Sequence, residues 1–91
     1  MYTVESTETF LKTANKFFRK HPDLRRQFRQ LVADLGDDPF QPKLRLHPLR
    51  GAFQGQYAVS LTYSYRITLT LLVSEKEITL LDIGDHDEVY R

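Results

Sequence analysis

The hydrophobic period changes once along this chain, and that change constrains the fold more than any other feature. Phe10, Leu11, Ala14, Phe17 and Phe18 recur at the spacing of one helical face. Leu24, Phe28, Leu31, Val32 and Leu35 repeat the pattern on a second segment. From Tyr57 the period falls to two. Tyr57, Val59 and Leu61 alternate with Ala58, Ser60 and Thr62, and Ile67, Leu69, Leu71 and Val73 alternate with Arg66, Thr68, Thr70 and Leu72. Ile78 to Ile83 is mostly apolar and reads as a third strand buried on both faces. Helical patterning followed by strand patterning predicts an α+β domain with two helices packed on one sheet face.

Local signals set the expected boundaries. Tyr2 to Val4 is a short β-prone piece, and Ser6 is the expected cap of the first helix, with Glu8 suited to its positive end. His21-Pro22 interrupts the pattern, and Pro22 fits the first turn of the second helix, which Gly36 is expected to close. Pro39, Pro42 and Pro48 keep long regular elements out of the linker. Ser74-Glu75-Lys76-Glu77 is a polar turn between the last two strands. The expected order is β-α-α-β-β-β: a short N-terminal strand and a two-helix hairpin on a curved antiparallel sheet, as a single domain over residues 1–91. With 91 residues the core is thin.

Composition narrows the chemistry. The chain has no cysteine, so disulfides, thiolate metal sites and a cysteine nucleophile are excluded. The same feature suits a reducing compartment. No apolar run is long enough to span a bilayer, and MYTVESTETF lacks the basic and apolar regions of a secretory signal, so a cytoplasmic protein is expected. Net charge is only +1, but residues 1–51 carry ten Lys/Arg against six Asp/Glu, and the remainder carries three against six. A basic first half can build a local anion-binding surface, or simply solvate two exposed helix faces.

The three histidines, His21, His47 and His86, show no metal-ligand spacing, and no glycine-rich phosphate loop or nucleophile elbow is present. No metal or small-molecule cofactor is therefore expected. One quieter constellation remains. Lys43, Arg45, His47 and Arg50 cluster just before the sheet, Arg66 stands among Thr and aliphatic residues in a strand, and His86 and Tyr90 follow the last strand. Gathered on the free sheet face, they would form a positive groove with an aromatic platform for an unpaired base. Each also has an ordinary structural alternative. Arg66 could pair with Asp82 or Glu88, His86 could cap a turn, and Tyr90 could cover the core edge.

The series His47-Pro48-Leu49-Arg50-Gly51, Gly55, Tyr57, Tyr63-Ser64-Tyr65-Arg66-Ile67 and Leu81-Asp82-Ile83-Gly84-Asp85-His86-Asp87-Glu88-Val89-Tyr90 resembles the RelE/ParE superfamily of type II toxin–antitoxin toxins. Its tail is similar to the YafQ-like and RelE/StbE branch, whose members commonly end in Gly-x-His-x-x-x-(Tyr/Phe). The resemblance spans essentially the whole chain. It implies metal-independent cleavage of mRNA in the ribosomal A site, by attack of a 2′-OH on the adjacent phosphate. Such chemistry needs a base, an acid and positive charge on the phosphorane. The resemblance makes His86 the general acid or base, Arg66 the phosphate-stabilising cation and Tyr90 a base-stacking or orienting ring. It makes His47 a helper in proton transfer or phosphate contact, with Lys43, Arg45 and Arg50 holding RNA, messenger or ribosomal.

The chain departs from the branch at Ser60 and Ser64, where a second His and an Asp are usual. Serine does not titrate near neutrality, so the acid/base set is shorter here. Two other functions therefore stand beside the endoribonuclease: a ParE-like inhibitor of DNA gyrase, and a catalytically weak domain that binds antitoxin only. In all three the expected protein partner is a cognate antitoxin, folding on contact across the helix hairpin and sheet edge near Arg19, Lys20, Arg25 and Arg29.

Overall fold

A computed structural model of the chain describes residues 1–89, apart from the Glu88 side chain. Two helices, α1 (Glu8–Lys20) and α2 (Arg25–Asp37), precede most of a five-stranded sheet. The strands are β1 (Thr3–Ser6), β2 (His47–Pro48), β3 (Tyr57–Ser60), β4 (Arg66–Leu72) and β5 (Glu77–Gly84), followed by a last turn of helix, α3 (His86–Val89). Their order across the sheet is β1-β5-β4-β3-β2.

The α+β architecture matches the expectation, with three differences of detail. The sheet is not purely antiparallel, because β1 runs parallel to β5 while the other pairs are antiparallel. The segment His47–Pro48 forms an edge strand on β3, too short to show any period. The third strand is also buried less evenly than its composition suggests, since Thr79, Leu81 and Asp82 are only half-buried.

Helix boundaries also moved, each for a tertiary reason. Thr7, not Ser6, caps α1: its hydroxyl accepts from the Phe10 amide at 3.0 Å. Ser6 is held extended opposite Leu80, and the Thr7 amide donates to the Leu80 carbonyl at 3.1 Å. Pro22 opens a separate 3₁₀ turn (Pro22–Leu24) before α2. Gly36 does not end α2. The helix continues to Asp37, and the Gly36 carbonyl accepts from the Tyr2 amide at 2.7 Å, tying α2 to β1.

The core lies between the helices and one sheet face. Phe10, Leu35, Ile67, Leu69, Ile78 and Leu80 are almost wholly buried there. Phe28 of α2 stacks on Phe10 of α1, with centroids 6.0 Å apart, and packs at a tilt against Phe18, 5.1 Å away. Leu11 belongs to the predicted helical face yet is 54% exposed. It sits one residue round from Phe10, at the margin of the apolar stripe. A register shift between Thr68 and Leu69 accommodates Leu81 as an extra residue on β5, a bulge that keeps Leu69 opposite Leu80 in the core.

The opposite sheet face is built by the same register. Directly paired residues share a face. Ser60 pairs with Arg66, Ala58 with both His47 and Thr68, Thr68 with Asp82 and Arg66 with Gly84. All therefore stand on the face turned from the helices. Ala58 and Thr68 are nonetheless buried, as is Val89 of α3, which packs across β4 and β5.

Candidate functional site

Three segments distant in sequence meet on this second face. β4 begins with Arg66, half-buried and adjacent to Ser60 of β3. The segment before β3 brings Lys43, Arg45 and His47. The chain leaving β5 turns at Gly84-Asp85 into α3, whose first residue is His86.

Two cavities result. One, of about 560 Å³, is walled by Lys43, Arg45, His47, Ser60, Thr62, Tyr63 and Arg66. The other, of about 550 Å³, is walled by His47, Leu49, Arg50, Phe53, Arg66 and His86. His47 and Arg66 belong to both, so the cavities form one groove with these two side chains at its middle. Neither cavity has an Asp or Glu in its wall among the described residues. A chain of near-zero net charge thus presents a groove whose described wall holds cationic and imidazole side chains and no carboxylate, the polarity that receives a phosphodiester.

The backbone orients these groups. Arg45 adopts the left-handed region (φ 54°), closing the Pro42–Leu44 turn. Its carbonyl lies 2.9 Å from Nδ1 of His47. A carbonyl oxygen only accepts, so Nδ1 carries the hydrogen and, in the neutral ring, the lone pair is on Nε2. His47 is thereby held in the tautomer of a proton acceptor at Nε2. The connection from β2 to β3 uses positive φ at Gly51 (64°) and Gly55 (94°), and Arg50 and Phe53 on it line the second cavity.

Lys43 is partly committed elsewhere. Its Nζ lies 3.2 Å from Oδ2 of Asp34, a largely buried carboxylate near the end of α2. The Gln30 amide, which donates to Asp34 at 3.1 Å, and the Lys43 ammonium hold this carboxyl below its usual range, against the opposing effect of desolvation. No ion pair joins Arg66 to Asp82, whose Oδ1 accepts from the Ile83 amide at 2.9 Å. The alternative pairing with Glu88 and the roles expected of Tyr90 fall outside the described residues. His86 is exposed, with Nδ1 3.8 Å from Asp87 Oδ1.

The residues expected from sequence to form the site are therefore divided as follows. His86, Arg66, His47 and Arg50 share one cavity, and Lys43 and Arg45 wall its continuation. Ser60 stands in that wall, whereas Ser64 belongs to the exposed turn between β3 and β4. Of the four cations expected at a partner surface, Arg25 and Arg29 flank a separate cavity of about 240 Å³ between the helices, with Phe10, Leu11, Phe18 and Phe28. The Arg25 guanidinium lies 5.5 Å from the centre of the Phe18 ring. Arg19 and Lys20 are exposed in the last turn of α1, outside that cavity. Sequence reading passed over Tyr63, which is fully exposed on the groove wall, and Phe53, half-buried beside His86. Tyr63 is in phase with the core-facing Tyr57, Val59 and Leu61, and only the turn after Leu61 rotates it outward.

The same α+β fold occurs in solved structures of other proteins. No family model and no curated protein sequence matches the chain. Solved structures do. YafQ from Escherichia coli superposes with a TM-score of 0.81 at 16% identity, over 100% of both chains. YafQ in its complex with DinJ gives 0.72 at 15%, over 99% of this chain and 98% of that one. A metal-bound toxin from Helicobacter pylori gives 0.80 at 24%, covering 99% and 100%. A YoeB/ParE toxin from Agrobacterium tumefaciens gives 0.75 at 16%, covering 94% and 99%. The chain thus shares its fold, over at least 94% of its length, with YafQ and with these toxin structures. Among the described residues no three His, Asp or Glu side chains are grouped to hold a metal, and no helix is long and apolar enough to cross a membrane.

Proposed function

We propose that this chain is the toxin of a type II toxin–antitoxin system and that it cleaves mRNA on the ribosome, in the cytoplasm, using only its own side chains for proton transfer. The observation that supports this reading is the convergence of His86, His47 and Arg66 on one cavity with no carboxylate among the described residues of its wall. The scissile phosphodiester would lie against Arg66. Nε2 of His47 is suited to take the 2′-OH proton, and His86 to protonate the leaving 5′-oxygen. The 2′-oxygen attacks phosphorus, the P–O5′ bond breaks, and the products are a 2′,3′-cyclic phosphate and a 5′-OH. Arg66 stabilises the negative charge of the phosphorane, with Arg50 beside it. Tyr90, four residues beyond His86, would orient a base. Lys43 and Arg45 would hold RNA backbone along the adjoining cavity.

The partner surface follows from the inter-helix cavity. Its apolar floor, edged by Arg25 and Arg29 and continued by exposed Leu11, suits an amphipathic antitoxin segment carrying acidic residues. Arg19 and Lys20 would extend the contact along α1. This parallels YafQ, which forms a complex with DinJ.

One specific observation favours a second reading. Ser60 occupies the groove wall as a hydroxyl, where the resemblance leads one to expect an imidazole. A groove that binds but does not cleave would suit a ParE-like gyrase inhibitor or an antitoxin-binding domain. The deciding experiment induces the wild type and His86→Ala without antitoxin and maps mRNA 5′ ends on translating ribosomes. Cuts in codon register that vanish in the variant support the nuclease. Gyrase-linked DNA breaks, or absence of toxicity, overturn it.

A further inference from the structure

We infer that Tyr63 is the stacking platform for an unpaired nucleobase next to the bound phosphodiester, an inference that rests on the RNA-binding reading of the groove. Tyr63 is fully exposed, although an aromatic ring left in water forgoes a large apolar burial. Its neighbours are anchored. Leu61 is buried in the core, and the Tyr65 ring packs edge-on to Phe17 at 5.0 Å and against His21 at 4.9 Å. Between them the turn is closed by hydrogen bonds. The Leu61 amide donates to the Tyr65 carbonyl at 2.9 Å, and the Thr62 hydroxyl accepts from the Ser64 and Tyr65 amides, each at 3.2 Å. The ring is therefore carried on a hydrogen-bonded turn and presented outward, so the backbone beneath it needs no ordering when it meets a ligand.

What it faces identifies the ligand. Tyr63 shares its cavity with Lys43, Arg45 and Arg66, and no described acidic residue lines that cavity. Cations that track a phosphate backbone beside an exposed ring are the two components of a single-strand site. His47 and Arg66 link this cavity to the one containing His86. A strand whose phosphodiester lies against Arg66 can thus run from the His86 cavity into the one that Tyr63 lines. The stack requires a π-face and no particular hydrogen-bonding edge, so it tolerates any base.

The chain contains no tryptophan, so Tyr63→Trp introduces a single indole at the platform. The probe is a twelve-residue 2′-O-methyl oligoadenylate, which the proposed 2′-OH attack cannot cleave, compared with inorganic tripolyphosphate. The oligonucleotide is expected to quench the indole and tripolyphosphate to leave it unchanged. With labelled oligonucleotide, Tyr63→Ala should bind roughly 5- to 150-fold more weakly, and Tyr63→Phe within about twofold of wild type. Equal quenching by tripolyphosphate, wild-type affinity in Tyr63→Ala, or no binding by the wild type up to millimolar oligonucleotide overturns the platform. So does a Tyr63→Ala protein that loses antitoxin but keeps RNA, which would make Tyr63 a protein contact. Because the probe resists cleavage, stacking without any mRNA cuts in cells would sink the nuclease reading and leave the platform standing.

Discussion

Replacing Arg66 by glutamine is the sharpest perturbation of the groove. Arg66 stands at the start of β4, half-buried, in the wall of both cavities. Its charge has no carboxylate partner among the described residues, since Asp82 is bonded to the Ile83 amide. Lys43, the lysine that lines the adjoining cavity, is shared with Asp34 at 3.2 Å and is a poor substitute. Removing one preorganised donor aimed at developing negative charge typically costs about 2.7–4 kcal/mol in the transition state, or 10²–10³ in rate, and the same scale is taken for Arg66. Arg50 lines the same cavity and can compensate in part, so the lower end, about 100-fold, is expected for Arg66→Gln. Arg66→Lys keeps the charge but loses the planar two-pronged donor, and should fall about tenfold. Stability should move by no more than about 0.5 kcal/mol, because the side chain lies outside the core. Single-turnover cleavage of mRNA on programmed ribosomes measures the rate, and thermal melting supplies the control. An active wild type with Arg66→Gln within threefold of it, or with Arg66→Lys the worse variant, would refute the assignment of phosphate charge to Arg66.

Three further outcomes test the fold beneath the site. Thr7→Ala should cost about 1 kcal/mol, a fall of roughly 4–8 °C in Tm for a domain of this size, whereas Ser6→Ala should stay within about 0.5 kcal/mol; calorimetry that reverses the two would contradict the observed cap. Leu69→Ala removes a fully buried side chain beneath the groove and should cost about 2–5 kcal/mol in urea unfolding, with a smaller loss counting against a tightly packed core. Asp34 has a folded-state pKa below its ordinary 3.8, so its contribution is complete above that value and disappears as pH falls through the lower folded one. The stability difference between wild type and Asp34→Asn should therefore be constant above about pH 5 and shrink only in stronger acid; a difference that grows on acidification would show the sign to be wrong.

Much of the site was visible as residue types before any coordinates. Arg66, His86, His47 and the basic run from Lys43 to Arg50 stand out because cations and imidazoles interrupt apolar or turn-rich segments. Their grouping was not visible, since it depends on strand pairing between residues far apart in the chain. The two-residue strand His47–Pro48 shows no alternation, yet its pairing with β3 places His47 beside Ala58 and one strand from Thr68. Tyr63 was hidden for a related reason: strand periodicity assigns it inward, and only the hydrogen-bonded turn from Leu61 to Tyr65 sends it outward. The helix hairpin was legible, but division of its four expected partner cations between the inter-helix cavity and open surface was not.

By itself the sequence determined the two long helices and the three longer strands of the meander, and which side of each helix is apolar, because side-chain periodicity is a property of neighbours along the chain. It also determined the supply of chemistry: no thiol, few imidazoles, and cations concentrated in the first half. The tertiary structure decided where helices begin and end, through bonds such as Thr7 to Leu80 and Tyr2 to Gly36 that reach across the fold. It decided that β1 lies parallel against β5, and it decided which polar groups face one another. Register supplies the physical reason: a shift of one residue would turn Arg66 into the core, and only burial of Ile67, Leu69 and Leu80 together selects the register that sets it facing the imidazoles.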